Sequence, residues 1–189
     1  MEPMRSLAQY SLFHHAENGN HSSHLRGYAE EIPLRDASVD QVLCKGSLDY
    51  FLDPRAGLRE MRRVLKPGGR LVAAVANYDS LSCYLSRLAC WVNGKRHGSS
   101  PDGKVRAHHE MPSDHVTRFN AKVARELVEE FYKVIKVVGV GLLWGTPHLN
   151  LMWERIPRRI TEKSLALLYS IARPLPRLAD MTVLVCIKI

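Results

Sequence analysis

Residues 53–77, DPRAGLREMRRVLKPGGRLVAAVAN, decide the predicted fold. Asp53 is a residue type that caps helices, and Pro54 suits a first helical turn. The apolar residues that follow recur at helical spacing and form one stripe, at Leu58, Met61, Val64 and Leu65. Pro67-Gly68-Gly69 is expected to end the helix and turn the chain. The continuous apolar run RLVAAVA then predicts a strand buried on both faces.

A second strand is predicted just before this helix, in VDQVLCKGS over 39–47. The order strand, helix, turn, strand forms a βαβ unit, which requires parallel strands in one sheet. The charged residues of the helix are expected to face away from its apolar stripe: Arg59, Glu60, Arg62 and Arg63. Further helices are predicted over 3–17, 79–93, 121–131 (capped by Asn120) and within 151–178, and further strands in KVIKVVGVG and the closing MTVLVCIKI.

The composition is typical of one soluble globular domain, with 189 residues, 46% hydrophobic and 24% charged. No apolar run reaches the ~20 residues that span a bilayer, and the N-terminus lacks the pattern of a secretory signal. The four cysteines are scattered without a C-x-x-C pair. This spacing argues against a zinc ribbon or a disulfide framework and favours a cytoplasmic location.

The formal net charge of +8 is compatible with an ordinary basic surface, with nucleic acid or with an anionic membrane surface. No nucleic-acid-binding motif accompanies the charge, which argues against a nucleic-acid partner. Residues 151–178 hold six basic and two acidic side chains, with Trp153, Tyr169 and several leucines between them. Two interpretations stay open for this segment, contact with anionic lipid or a lipid-like substrate, and a cap of helices packed on the core.

Four stretches occur in an order and spacing that resemble one known family: GYAEEIPL at 27–34, Val39-Asp40, residues 48–54 and residues 58–71. The resemblance is to class I S-adenosylmethionine-dependent methyltransferases, of the type 11-like group. It implies a Rossmann-like twisted sheet ordered 3-2-1-4-5-7-6, with strand 7 antiparallel. It also implies S-adenosylmethionine as the cofactor.

The family's acidic residue and Gly-rich turn after its first strand have no counterpart before GYAEE. Gly139-Val140-Gly141 comes late and opens no helix, so it is interpreted as a strand exit or bulge. Residues 1–189 are therefore expected to form a single, N-terminally truncated domain without strand 1, the Gly-rich loop and most of strand 2. About five strands would remain, ordered 3-4-5-7-6, with His24–Tyr28 pairing directly with 41–45. Residues 78–118 would form a lid insert and 151–178 a helical cap.

The resemblance implies a set of cofactor-binding residues. Glu2 would accept hydrogen bonds from the ribose hydroxyls, or else is a solvated acid near a helix start. Tyr28 stands where the family often has an Asp, and it would stack on the adenine ring. Ala29 would offer its backbone amide. Lys45 and Gly46 would lie beside the methionine part, where glycine permits close approach.

Asp49 and Tyr50 occupy the place at the pocket floor near the transferred methyl group. If the acceptor is a hydroxyl, a base is needed, and Asp49 or His115 would serve. The alternative is that each is only a polar wall residue. His108 and His109 lie near His115, but no H-E-x-x-H spacing is present, so a polar lid rather than a metal site is predicted.

The sequence thus predicts methyl transfer from S-adenosylmethionine to a small-molecule or lipid-like acceptor. The main alternative is a non-catalytic remnant of the fold that acts as an interaction or partner subunit. A third hypothesis is a lipid-surface or nucleic-acid binding module driven by charge. Nothing in the sequence identifies the acceptor atom.

Overall fold

The computed structural model describes residues 25–92, 115–143 and 156–189. The elements in these ranges are β1 (Val39–Lys45), a short 3-10 helix (Leu48–Tyr50), α1 (Pro54–Val64), β2 (Leu65–Ala76), α2 (Leu81–Val92), α3 (Ala121–Glu129), β3 (Lys133–Val140), α4 (Arg158–Ala172) and β4 (Met181–Ile187). The predicted α/β class is confirmed. The predicted helix over 3–17 lies outside the described residues, as do Glu2, His108 and His109.

The four strands form one mixed sheet in the order β1-β2-β4-β3. β1 runs parallel to β2, and β4 is antiparallel to both of its neighbours. This arrangement corresponds to the 4-5-7-6 part of the predicted order, with the closing strand antiparallel. The carboxyl ends of β1, β2 and β3 therefore lie at the same edge of the sheet.

The predicted pairing of the segment near His24–Tyr28 with β1 is wrong for residues 25–28. Tyr28 forms only an isolated bridge with Glu31, closed by a 3.1 Å bond from the Glu31 amide to the Tyr28 carbonyl. Among the described residues, β1 pairs with β2 alone. The segment is short and turned back on itself, so it offers no extended edge for a ladder.

Side chains of α1 bind the residues that follow this segment, Ile32 and Leu34. Glu60 Oε2 accepts the Ile32 amide at 3.0 Å, and Arg63 donates to the carbonyls of Ile32 and Leu34 at 2.9 and 2.8 Å. Arg63 also binds Glu60 through two nitrogens, at 2.8 and 2.9 Å. Glu60 and Arg63 face away from the apolar stripe, as predicted, but they bind a loop folded onto the polar face, which helix periodicity does not reveal.

The predicted start of α1 is confirmed, but the helix ends before Leu65, which the prediction had placed in it. Asp53 accepts the Arg55 amide at 2.9 Å, and the helix ends at Val64. The following turn residues, however, belong to β2, whose pairing jumps from Val39↔Leu65 to Gln41↔Arg70. Gly68 adopts a φ of +73°, which a residue with a side chain rarely takes. The turn is thus a large bulge within the strand.

The core lies between the sheet and the helices α1 and α3. Its fully buried side chains come from both helices, from the strands and from the segment before α3: Leu48, Leu58, Leu65, Leu71, Val75, Phe119, Val128 and Leu184. Burial of each such side chain contributes about 1.5–3 kcal/mol. The cap predicted at Asn120 is confirmed, since its side chain accepts the amides of Lys122 and Val123.

α4 packs on β3 at Gly139. A Cβ at this position would lie 2.2 Å from the Ala172 carbonyl oxygen, so only glycine fits. Gly139 pairs with Thr182 inside β3, and Gly141, with a φ of +73°, follows the end of the strand. Within the described ranges, no helix has the length and apolar character needed to cross a membrane.

Candidate functional site

The parallel strands β1 and β2 bring two polar segments together at their carboxyl ends, the edge where open α/β sheets bind ligands. Asp49 follows β1 on the 3-10 helix, and Tyr78 follows β2. Residues 115–119 lie against both segments. The Asp49 carbonyl accepts the amides of Val116 and Thr117 at 2.8 and 3.1 Å, and the Tyr78 amide donates to the Phe119 carbonyl at 3.1 Å.

The structure brings together the three residues that the sequence singled out as catalytic, Asp49, Tyr50 and His115. His115 Nδ1 lies 3.6 Å from Asp49 Oδ2 and 2.9 Å from the Tyr78 hydroxyl oxygen. The Tyr50 ring meets the imidazole edge-on, with 4.3 Å between ring centroids. Two tyrosines and a carboxylate therefore surround one histidine.

Burial makes the carboxylate of Asp49 unusual. Asp49 is 2% exposed, and the side chain of His115 is 9% exposed. Among the described residues, Asp49 Oδ1 is buried without a hydrogen-bond partner. Leaving a buried polar atom unsatisfied costs about 1–3 kcal/mol, so this arrangement does not exist for stability. Such unfavourable groups concentrate at functional sites.

Tyr78 is a site residue that the sequence analysis missed. Its position directly after the carboxyl end of a buried parallel strand was the available signal. Arg118 lies over the Tyr78 ring at 5.9 Å and approaches Asp79 at 3.5 Å. These contacts fix the Tyr78 ring from the side away from its hydroxyl group.

The predicted cofactor residues lie in two exposed places. Tyr28 is 74% exposed in the turn that Glu60 and Arg63 hold, and Ala29 beside it is half-buried. A surface cleft of about 580 Å³ is lined in part by Gly27, Tyr28, Glu60 and Arg63. These residues lie on the β1 and α1 side of the molecule.

The second place is the exposed pair Lys45 and Gly46 at the end of β1. Gly46 has a φ of +60°, and a Cβ there would meet no atom within 4 Å. The Gly46 amide donates to the Ala74 carbonyl at 2.8 Å, so the turn is anchored to β2. The space over Gly46 is open, and the Tyr28 ring is exposed.

Other chemistry finds little support in the described part of the chain. No cluster of three or more His, Cys, Asp or Glu side chains with metal-binding geometry occurs there. Cys44 lies beside the site, with Sγ 3.3 Å from Ser47 Oγ. Burial raises the pKa of the Cys44 thiol, which keeps the thiol protonated and a poor nucleophile.

A family model described as a methyltransferase domain matches residues 3–73. An uncharacterized methyltransferase from Mycobacterium tuberculosis is 53% identical over 47 residues, 25% of this chain and 19% of the relative. A malonyl-[acyl-carrier protein] O-methyltransferase from Hahella chejuensis is 32% identical over 93 residues, 48% of this chain and 32% of the relative. A 2-methyl-6-phytyl-1,4-hydroquinone methyltransferase from Oryza sativa is 42% identical over 64 residues, which are 34% of this chain and 19% of the relative.

Solved structures share the fold at low identity. An S-adenosylmethionine-dependent methyltransferase from Thermotoga maritima superposes with a TM-score of 0.55 at 19% identity, over 87% of this chain and 63% of that one. A chain from the Haloferax volcanii complex between the Trm112 methyltransferase activator and a methyltransferase gives 0.53 at 19% identity, over 92% and 66%. The chain thus spans about two thirds of these structures and at most a third of the three curated relatives.

The sheet order is that of the Rossmann-like methyltransferase fold, and the matched segment resembles the methyltransferase domain model. The resemblance to class I S-adenosylmethionine-dependent methyltransferases is confirmed by the family model and by the shared fold.

Proposed function

We propose that this chain takes part in S-adenosylmethionine-dependent methyl transfer to a small-molecule or lipid-like acceptor, in the cytoplasm. The observation that carries the proposal is the buried group of Asp49, His115 and Tyr78 at the carboxyl edge of a methyltransferase sheet. One relative is named for a phytyl hydroquinone, which supports an acceptor with a long apolar chain.

The proposed cofactor residues each have a role that their surroundings permit. Tyr28 offers an exposed aromatic face to the adenine ring, and Ala29 a backbone amide. Gly46 leaves room beside Lys45 for close backbone approach. Glu2, outside the described residues, remains the proposed ribose ligand. The cofactor, when bound, would supply a methyl group bonded to a positively charged sulfonium sulfur.

His115 and Asp49 handle the proton in this proposal. A hydroxyl or amine acceptor loses a proton as its oxygen or nitrogen forms the new bond to carbon, and the carbon–sulfur bond breaks. His115 takes that proton, and the buried Asp49 carboxylate balances the resulting imidazolium charge. Tyr50 closes one side of the imidazole. Positioned proton acceptors of this kind contribute about 10²–10⁴-fold in rate.

The test is transfer of a labelled methyl group from S-adenosylmethionine to a panel of phenols, quinols and amines, with binding of S-adenosylmethionine followed by calorimetry. Asp49→Asn and His115→Gln are expected to lower transfer about 100-fold and to leave cofactor affinity unchanged. Asp40→Asn is the matched control, because Asp40 is an exposed carboxylate paired only with Lys66. Equal activity in Asp49→Asn and Asp40→Asn contradicts the proposed roles.

A second candidate is a non-catalytic partner subunit. The specific observation is that β1 pairs on one side only among the described residues, and that Leu43 on it is 71% exposed. One structural neighbour was also solved in complex with an activator protein. The absence of both a heat of binding and a thermal shift at millimolar S-adenosylmethionine would favour this candidate over catalysis.

A lipid-like acceptor is also supported by the surface of α4. Arg159 and Lys163 on α4, and Arg173 and Arg177 after its end, make no ion pair within the described ranges, whereas Arg158 is paired with Glu162 at 2.8 Å. Ile160 and Leu167 are exposed between these cations. An exposed surface that mixes cations with apolar side chains suits anionic lipid.

A further inference from the structure

We infer that Tyr78, together with Asp49, holds His115 as the tautomer protonated on Nδ1, so that Nε2 is the nitrogen that accepts a proton. Tyr78 is a positioning residue in this inference, because it acts through His115. The role of Nε2 in a reaction rests on the proposed methyl transfer. The assignment of the tautomer does not depend on that proposal.

Within the described part of the chain, the polar contacts of the His115 ring are made by Nδ1. Nδ1 faces the Tyr78 hydroxyl at 2.9 Å and Asp49 Oδ2 at 3.6 Å. The Tyr50 ring meets the imidazole at 69°, and the Tyr78 ring lies nearly perpendicular to it, at 83°. Within the described part of the chain, Nε2 makes no hydrogen bond. The geometry therefore constrains the Nδ1 side and leaves the Nε2 side for a ligand.

The charge of Asp49 decides between the two neutral tautomers. A carboxylate near Nδ1 attracts a hydrogen on that nitrogen, and it is repelled by a bare nitrogen lone pair. Nδ1–H then donates to the Tyr78 oxygen, which lies within hydrogen-bond distance, whereas Asp49 Oδ2 at 3.6 Å is too far for a normal bond. Tyr78 thus supplies the directed hydrogen bond with Nδ1, and Asp49 supplies the negative charge that favours a proton on this nitrogen.

This division of roles also accounts for the unpaired oxygen of Asp49. A carboxylate that served only to anchor His115 would be expected to approach Nδ1 closely and to use both oxygens. Asp49 is buried, and its Oδ1 has no hydrogen-bond partner among the described residues. Its Oδ2 lies farther from His115 Nδ1 than the Tyr78 hydroxyl oxygen does. When Nε2 gains a proton, the whole imidazolium becomes positive, and the nearby buried negative charge is then favourable.

The experiment is long-range ¹H–¹⁵N correlation on the full chain with ¹⁵N-labelled histidine. The chain has nine histidines, so the His115 signals are assigned by their loss in His115→Gln. The wild type is expected to show a protonated Nδ1 and an unprotonated Nε2. Tyr78→Phe and Asp49→Asn are each expected to shift His115 toward the Nε2-protonated form.

Tyr50→Phe is the matched control, because it removes a tyrosine hydroxyl and keeps the ring contact with His115. It is expected to leave the tautomer unchanged. A wild-type His115 protonated on Nε2, or a tautomer that neither Tyr78→Phe nor Asp49→Asn alters, overturns the inference. These readouts need no cofactor, so they stand apart from any failure of methyl transfer. Where transfer is observed, Tyr78→Phe should lower kcat about tenfold with KM little changed.

Discussion

At the scale of single residues, Asp49 combines burial, negative charge and incomplete hydrogen bonding. It lies on a three-residue 3-10 helix whose position follows from the end of β1. Its backbone carbonyl is satisfied by Val116 and Thr117, so the segment around it is well anchored while its carboxylate is not. The chain therefore tolerates an energetic cost at one side chain within an otherwise well-bonded surrounding.

This cost predicts opposite effects of Asp49→Asn on stability and on activity. The amide removes a buried charge and keeps the shape, so the free energy of unfolding should be unchanged or higher by about 1 kcal/mol. Methyl transfer should fall as described above. Urea denaturation monitored by tryptophan fluorescence measures the first effect. A loss of more than about 1 kcal/mol would show that Asp49 is a structural residue.

At the scale of elements, α1 and α4 each use their polar face for more than solvation. In α1, Glu60 and Arg63 bind the segment that carries Tyr28. Arg63 lowers the pKa of Glu60 by direct hydrogen bonding, so the carboxylate stays charged and the contact persists at neutral pH. In α4, the cations on the polar face are largely unpaired, which makes that face available to an anionic surface.

The exposed cations of α4 predict binding to anionic vesicles. Each basic side chain near such a surface contributes about 1 kcal/mol, so Arg159→Glu with Lys163→Glu should weaken binding by about tenfold or more. Co-sedimentation with phosphatidylserine-containing vesicles measures this effect, and phosphatidylcholine vesicles should bind neither form. The control is Lys122→Glu with Arg125→Glu on α3, whose cations already pair with Glu126 and Glu129. Equal loss in both double variants would assign the effect to net charge alone.

At the scale of the whole molecule, one core joins the sheet to α1 and α3, and it contains ionisable groups. Burial raises the pKa of Cys186 to about 12, and it also raises the pKa values of Tyr132 and Cys44. The Tyr132 hydroxyl donates to the Leu58 carbonyl at 3.0 Å, so it must keep its proton in the folded state. The core is therefore neutral at pH 7 and sensitive to alkali.

Stability should accordingly decline above pH ~8.5. The unfolded chain releases its cysteine protons near pH ~8.5 and its tyrosine protons near ~10, whereas the folded chain retains them. Above those values the unfolded state binds fewer protons, so the free energy of unfolding falls by up to about 1.4 kcal/mol per pH unit for each such group. Urea titrations from pH 7 to 11 measure this slope, which Cys186→Ala should reduce. An unchanged slope in that variant would contradict the assignment to Cys186.

Local chemistry explains what was predictable. Asp53 and Asn120 cap helices because their side chains reach amides two or three residues ahead, and the α1 stripe follows from helical spacing alone. The runs of apolar and β-branched residues predicted the four strands, because such side chains suit a buried strand. The bulge at Gly68 was not predictable, because a Pro-Gly-Gly turn ends a strand as readily as it interrupts one.

The sequence by itself determined the α/β class, the order of its elements and the residues Asp49, Tyr50 and His115 as candidates. Only the tertiary structure decided that these three meet, that Tyr78 joins them, and that α1 binds Ile32 and Leu34 while residues 25–28 do not pair with β1. The physical reason is the distance along the chain over which each kind of interaction acts. Caps, turns and periodicity act within a few residues, whereas Tyr78 and His115 are 37 residues apart in the chain and become neighbours only when the sheet forms.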